Sequence, residues 1–149
     1  MIKLNFPGYQ FRFKNSENKV SIFCEIRKKF IVLTPEEWVR QHVVQFLLTE
    51  KKYPKSLINV EKTLKINDLT KRYDVVIFNN NGSINVLVEC KSTDIKISQG
   101  TFDQIARYNL TLKADLLMVT NGLNHYFCKM DFDNEKYSFL EILPNYITN

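Results

Sequence analysis

The chain has 149 residues, a net charge of +5 and 44% hydrophobic residues, which suits one globular domain with a sizeable core. No apolar run reaches membrane-spanning length, and the N-terminus lacks the apolar core of a signal peptide. The three cysteines have no CxxC spacing, which argues against a disulfide or zinc framework. We therefore expect reduced thiols in a cytoplasmic protein, and the excess of Lys and Arg permits a polyanionic partner without requiring one.

The N-terminal segment is predicted to form a hairpin added to the core. Residues 9–14 and 19–23 resemble short strands around a polar turn at residues 15–18. The basic cluster that follows, Arg27 to Lys29, is expected to be a solvated loop, with contact to phosphate as the alternative.

A helix is predicted to begin at Thr34, a favourable N-cap with Pro35 at the first helical position and Glu37 three residues on. The helix is expected to run to about Lys52. Glu36 lies on its apolar stripe and Glu37 projects away from it, so Glu36 is the acid expected to reach inward. Alternatively, both acids only favour the positive end of the helix dipole. The stripe consists of Val39, Val43, Phe46 and Leu47.

The remaining elements predict a mixed sheet. A strand over residues 57–66, a hairpin, a helix over 98–113 and an apolar strand over 116–120 are followed by closing strands. This α/β arrangement, an α+β mixed sheet, should carry one helix on each face. Gln104 and Tyr108 are four residues apart and share a helix face.

The central hairpin, residues 73–78 and 84–90, carries the candidate site. Asn81-Gly82 predicts a two-residue type I′ turn. Counting outward pairs Phe78 with Asn85 and Asp74 with Glu89, which places the two carboxylates opposite each other on one sheet face, about 5 Å apart.

Facing carboxylates in an apolar hairpin repel each other and lose solvation, and a divalent cation would offset both costs. Lys91, two residues beyond Glu89, lies on the same predicted face and could orient water, while the backbone carbonyl of Cys90 could add a ligand. A structural ion-pair cluster is the alternative.

Asp74 followed by Glu89-Cys90-Lys91 on the next strand resembles the PD-(D/E)XK nuclease superfamily, with Tyr73 where the pattern has proline. Five stretches look like the N-terminal nuclease domain of type I restriction enzyme R subunits, and more closely like small stand-alone bacterial proteins built from that domain. They are TPEEWVRQH, KRYDVVIF, VECK, FDQIARYN and VTNGLNHY.

The resemblance implies a restriction-endonuclease-like αβββαβ core. The chain would be a single domain, with residues 1–33 as the N-terminal hairpin extension, 34–131 as the nuclease-like core, and 132–149 as the C-terminal strand and tail.

The resemblance also implies the site roles. Mg²⁺, or Mn²⁺ in its place, would be bound by Asp74, Glu89 and the Cys90 carbonyl. Lys91 would be the catalytic lysine and Glu36 the helical acid. The implied substrate-binding residues are Gln104 and Tyr108 of a QxxxY motif, together with Arg40.

The expected function is therefore a Mg²⁺-dependent DNA endonuclease or nuclease domain. The rival hypothesis is a non-catalytic nucleic-acid-binding or assembly module, and a third is purely structural use of the acids. The expected partner is nucleic acid, DNA in particular, with a second copy or another protein as further candidates. Because the sequence has no P-loop, ATP is not expected.

Overall fold

The computed structural model describes residues 1–147, except for the side chains at positions 66 and 69. The last two residues of the predicted C-terminal tail lie outside the described residues. The elements run β1 (Phe13–Ser16), β2 (Lys19–Cys24), β3 (Lys29–Val32), α1 (Pro35–Gln45), β4 (Ile58–Ile66), β5 (Leu69–Phe78), β6 (Ile84–Cys90), α2 (Gln99–Leu112), β7 (Leu116–Thr120), β8 (His125–Asp131) and β9 (Lys136–Leu140).

The first three strands form an antiparallel sheet, β1-β2-β3. The predicted hairpin is confirmed, and its turn falls on Glu17 and Asn18, both with positive φ. The expectation of a solvated loop at the basic cluster is wrong at Lys29, where β3 begins and Phe30 pairs with Phe23, and at Arg27, whose side chain is 12% exposed and ion-paired. Apolar residues after the cluster extend the hairpin to a third strand because they pair across β2.

α1 begins where the capping pattern predicted. The Thr34 hydroxyl accepts a hydrogen bond of 3.0 Å from the Glu37 backbone N–H, which satisfies one of the free donors at the helix start. A π-helical segment, Phe46–Glu50, continues α1 and brings its end close to the predicted one.

The larger sheet has the order β4-β5-β6-β7-β8-β9, with β6 and β7 parallel and the other neighbours antiparallel. α2 connects the two parallel strands, which cannot be joined by a tight turn. α1 packs on one face and α2 on the other, as predicted. Between α1 and the sheet, the core includes Val39, Val43, Val75, Val88 and Met118. Between α2 and the sheet, it includes Phe102, Ile105, Val76, Leu87 and Leu117. Among residues 1–147, no helix is long and apolar enough to cross a membrane.

The turn between β5 and β6 differs from the predicted type I′ turn. Asn79 donates its backbone N–H to the Ser83 carbonyl at 2.8 Å, which encloses a three-residue loop. Gly82 at its end has φ 89°, the left-handed conformation that glycine adopts without a Cβ penalty. The loop is therefore one residue longer than expected.

A β-bulge next to this loop restores the predicted register. Phe78 pairs with Ile84 rather than with Asn85, and the register shifts between Ile77 and Phe78. Beyond the bulge Val76 pairs with Leu87, as the sequence predicted. Because a one-residue slip exchanges the two faces of a strand, the bulge decides which side chains of β5 and β6 reach the site.

Candidate functional site: an acidic cleft at the end of the central hairpin

A polar cleft of about 180 Å³ lies where β5 and β6 separate, beside the start of α1. It contains the predicted residues of the hairpin and of α1 together with residues that the sequence did not single out. The cleft is lined by Glu36, Arg40, Glu61, Arg72, Tyr73, Asp74, Glu89, Cys90 and Lys91. A cavity of about 480 Å³ at the turn end of the same hairpin is lined by asparagines and contains none of the predicted site residues.

Asp74 lies where the strand pairing of β5 is interrupted on both sides. Towards β4, Glu61 has φ 52° and is passed over between the pairs Val60–Val75 and Lys62–Tyr73. Towards β6, Asp74 Oδ2 accepts a hydrogen bond of 2.8 Å from the Cys90 backbone N–H. The carboxylate thus takes over a backbone hydrogen bond at the point where the strands part.

Arg40 of α1 holds the other oxygen of Asp74. Its Nη2 and Nε donate to Asp74 Oδ1 at 2.8 and 3.2 Å, and its Nη1 donates to Glu37 Oε1 at 2.5 Å. Burial lowers the pKa of Arg40, but the bonds to Asp74 and the charge of Glu37 outweigh burial and raise it above its usual value. Arg40 is therefore a fixed buried cation, and its predicted contact with substrate stays a prediction.

Glu37 is the buried acid of α1, which corrects the expectation that it projects away from the core. Its side chain is 3% exposed and binds Arg27 of the β2–β3 turn at 2.5 Å as well as Gln41 at 2.9 Å. The prediction failed because helical phase alone cannot show a cation that another element contributes. The spacing of Glu37 to Arg40 and Gln41 was nevertheless a usable signal.

Glu36 stands at the mouth of the cleft rather than inside it. Its side chain is 51% exposed and lies 3.2 Å from Arg40 Nη2. Burial first, and the charge of Asp74 second, raise the pKa of Glu36. The predicted acid thus lines the cleft, but as an outer member.

Glu89 is the acid of the cleft whose bonding is incomplete. Among the described residues, its buried Oε1 has no hydrogen-bond partner, and the Lys71 ammonium lies 3.7 Å away. Burial first, and the charge of Asp74 second, raise the pKa of Glu89 to about 7. An unsatisfied oxygen in a buried carboxylate is costly, which marks this position as one where a ligand would be stabilising.

Lys71 is a site residue that the sequence did not single out. Its ammonium lies 4.8 Å from the ring centre of Tyr73 and 4.7 Å from that of Tyr108, which favours a fixed position for the cation. The sequence offered one signal for Lys71. Side chains alternate along a strand, so Lys71 lies on the same side of β5 as Tyr73. Tyr108 is thereby connected to the cleft, whereas Gln104 is exposed and is not among the lining residues.

The predicted placement of both acids on one sheet face is wrong in part. Continuing the register beyond the last pair, Val75–Val88, sets Asp74 opposite Glu89. Asp74, however, binds Arg40 on the α1 side, while Glu89 lies by Lys71, which contacts Tyr108 on the α2 side. The interruption of strand pairing at Glu61 frees Asp74 from the regular alternation of side chains. The two acids share the cleft but have different partners.

Comparison with known proteins places the chain in a family. The sequence profile of the family described as type I restriction enzyme R protein N terminus matches residues 35–144, most of the chain. The chain belongs to this family. No curated protein gives a significant match.

A solved structure supports the fold of the chain. It is a fragment assigned to an HsdR subunit of a type I restriction enzyme from Vibrio vulnificus YJ016, with a TM-score of 0.53 and 20% sequence identity. The similarity covers 76% of this chain and 24% of that one, so the chain spans about a quarter of the length of that relative. At this identity the likeness shows the fold, which is the mixed α+β arrangement that the sequence predicted.

The oxygen donors of the cleft fit a hard divalent cation. Within residues 1–147, no three or more His, Cys, Asp or Glu side chains are grouped as a metal site. Mg²⁺ nevertheless needs only one or two carboxylates, with water and phosphate supplying the rest. Asp74 and the Glu89 oxygen that has no hydrogen bond within the described residues meet that requirement. Burial raises the pKa of the Cys90 thiol, so the carbonyl of Cys90 is the better donor.

Proposed function

We propose that the chain is a Mg²⁺-dependent nuclease domain that hydrolyses phosphodiester bonds in DNA. The observation that carries the proposal is the buried, unbonded oxygen of Glu89 beside Asp74, in a polar cleft that also contains Lys91. The family match supports a nuclease-type module of restriction enzymes. Assembly with other subunits or with a second copy belongs to the same proposal.

Asp74 and Glu89 would hold the cation, which when bound neutralises the phosphate and lowers the pKa of a coordinated water. Arg40 and the Cys90 N–H keep Asp74 in one orientation before substrate arrives, so little reorganisation is needed on binding. Within the described part of the chain, the Lys91 ammonium has no carboxylate within 4.0 Å. It would donate a hydrogen bond to the attacking water and stabilise negative charge on the phosphate.

Residues at the mouth of the cleft would position the substrate. Glu36 stands where it could accept a hydrogen bond from a water. Tyr108 would act by holding Lys71, whose ammonium lies over its ring. Gln104 is on the exposed side of α2, one turn before Tyr108, where a DNA strand could reach it.

Cleavage of plasmid and linear DNA with Mg²⁺ or Mn²⁺ tests the proposal. Asp74→Ala and Lys91→Ala should abolish cleavage, because each removes a group from the reacting centre. Lys96→Ala is the matched control, since Lys96 is exposed and five residues from Lys91; it should cleave like the wild type. Cleavage that survives both site variants contradicts the assignment.

Calorimetry with Mn²⁺ tests the metal site separately from turnover. The wild type should bind Mn²⁺, and Glu89→Ala should bind it at least tenfold more weakly. The measurement is made at pH 8, where Glu89 is ionised. If Mn²⁺ gives the wild type no more heat than dilution into buffer, the proposed metal site is wrong.

One observation favours a second function, a non-catalytic nucleic-acid-binding or assembly module. Arg40 already neutralises Asp74 at 2.8 Å, and a fixed guanidinium can replace a metal as the counter-charge of a carboxylate. Salt-sensitive DNA binding without cleavage or Mn²⁺ binding is the outcome that this alternative predicts.

A further inference from the structure

The positive charge of the chain is concentrated in the part that the family profile does not match. Residues 1–33 contain seven of the 21 Lys and Arg and two of the 16 Asp and Glu, so their net charge is +5. Residues 34–149 contain 14 of each sign and are neutral. The profile begins at residue 35. The whole net charge therefore belongs to the segment that forms the β1-β2-β3 sheet.

The cations of this sheet lie over an aromatic surface. The Arg12 guanidinium lies 4.6 Å from the ring centre of Phe23 and 5.6 Å from that of Phe30, and the Lys14 ammonium lies 5.8 Å from the latter. Phe23 and Phe30 are cross-strand partners on β2 and β3. The rings limit the motion of the two cations while leaving Arg12 and Lys14 exposed.

The same sheet is anchored to the rim of the acidic cleft. Arg27 of the β2–β3 turn binds Glu61, a cleft residue, at 3.0 Å and the buried Glu37 at 2.5 Å. Lys28 and Lys29 follow it and are exposed. Arg27 has its charge satisfied within the protein, so the two lysines beside it are the cations of this turn that remain accessible to a ligand.

We propose that the outer face of the β1-β2-β3 sheet is a binding surface for the phosphate backbone of nucleic acid, formed by Arg12 and Lys14 together with Lys28 of the adjoining turn. The surface, called here the basic sheet, would place a duplex beside the cleft. The inference rests on the proposed function for its choice of ligand. It adds a substrate-binding region in a segment that lies outside the matched family domain.

Charge and position favour nucleic acid over other anionic partners. Arg12, Lys14 and Lys28 are exposed cations that can each contact a phosphate, and phosphate contacts supply most of the sequence-independent affinity for DNA. The ion pairs of Arg27 connect the basic sheet to a cleft whose acids suit a phosphodiester-cleaving metal. Binding to an anionic membrane would not require the basic sheet to be connected to the cleft, so this connection favours nucleic acid as the ligand.

Fluorescence anisotropy with a labelled duplex of about 20 base pairs, in EDTA and at several salt concentrations, tests the basic sheet. Lys14→Gln combined with Lys28→Gln should weaken binding at least tenfold at low salt. It should also reduce the slope of log K against log salt by about 1.8, because two phosphate contacts are lost. The matched control combines Lys113→Gln with Lys129→Gln, two exposed lysines outside the basic sheet.

The control pair should keep wild-type affinity and salt slope, and both double variants should keep the wild-type melting temperature because the substituted side chains are exposed. Wild-type affinity and slope in the Lys14 and Lys28 variant overturn the inference, whether or not the protein cleaves DNA. An equal loss in the control pair overturns it too. Binding to vesicles containing phosphatidylserine is measured for comparison. A Lys14 and Lys28 variant that binds these vesicles more weakly but keeps its affinity for the duplex also overturns the inference. Failure of the proposed function looks different: the protein would bind the duplex through the basic sheet and never cleave it.

Discussion

The two carboxylates of the β5–β6 hairpin differ in how completely they are bonded. Asp74 accepts two hydrogen bonds from Arg40 and one from the Cys90 backbone N–H. Glu89 has a buried oxygen without a hydrogen-bond partner within the described residues, and its closest cation is Lys71 at 3.7 Å. Asp74 is stable without any ligand, whereas Glu89 is the position at which a bound cation would improve the energy most.

The difference comes from the helices on the two sides. α1 contributes a buried network in which Glu37 holds Arg40, and Arg40 holds Asp74. On the α2 side, Tyr108 contributes a ring over Lys71 but no hydrogen bond to Glu89. One half of the cleft thus has a complete ion-pair network, whereas in the other half, within the described residues, a Glu89 oxygen has no hydrogen bond.

The largest effect should follow from breaking the α1 network. Glu37→Ala leaves Arg27 and Arg40 without the buried acid that binds both, so the free energy of unfolding should fall by about 3–5 kcal/mol. Denaturation in urea measures it. Glu36→Ala is the matched control one residue away; because Glu36 is 51% exposed, its loss should cost less than about 1 kcal/mol. Equal losses in the two variants would contradict the distinction between them.

Glu89→Gln should have a smaller effect in the opposite direction, an increase in the free energy of unfolding at pH 8. The pKa of Glu89 is raised to about 7 in the folded state, so the folded protein keeps this proton over a pH range in which the unfolded chain has lost it. The contribution of Glu89 to stability is therefore full below about pH 4.5 and is lost as pH rises to about 7. Glu89→Gln should remove that dependence and make the metal-free protein more stable at pH 8, by about 1–3 kcal/mol.

Urea denaturation of wild type and Glu89→Gln from pH 4 to pH 8 in EDTA measures this prediction. Mn²⁺ should reduce or reverse the difference at pH 8, since the wild type binds the metal more tightly and would gain more free energy from binding. If the free energies of unfolding of the two proteins change in parallel across the pH range, burial does not raise the pKa of Glu89 and the prediction is wrong.

The smallest effect should come from Lys71→Met, which removes the cation nearest Glu89. The midpoint of the pH-dependent loss of stability should move to higher pH, because the charge of Lys71 lowers the pKa of Glu89. The change in unfolding free energy at pH 8 should be about 1 kcal/mol or less. Lys129→Met, an exposed lysine on β8, serves as control and should leave the midpoint unchanged. A midpoint at lower pH in Lys71→Met would contradict the assignment of Lys71 as the partner of Glu89.

Local pattern was sufficient for the order of the elements from α1 onward, whereas β3 was not predicted. The N-cap at Thr34, the strands of the hairpin and the helix before the apolar strand Leu116–Thr120 all follow from residues close together in the chain. The register of Asp74 and Glu89 was predicted from the wrong turn. A loop one residue longer and a bulge at Phe78 offset each other, so the residues beyond them align as expected.

The sequence by itself thus determined the mixed α+β core and brought Asp74, Glu89 and Lys91 to one end of a hairpin. Only the tertiary structure decided which acid is bonded and which is not. Arg27 and Glu61 are 34 residues apart, as are Arg40 and Asp74. Such ion pairs depend on how α1 and the β2–β3 turn pack on the sheet, and the periodicity of a single helix or strand carries no information about that packing.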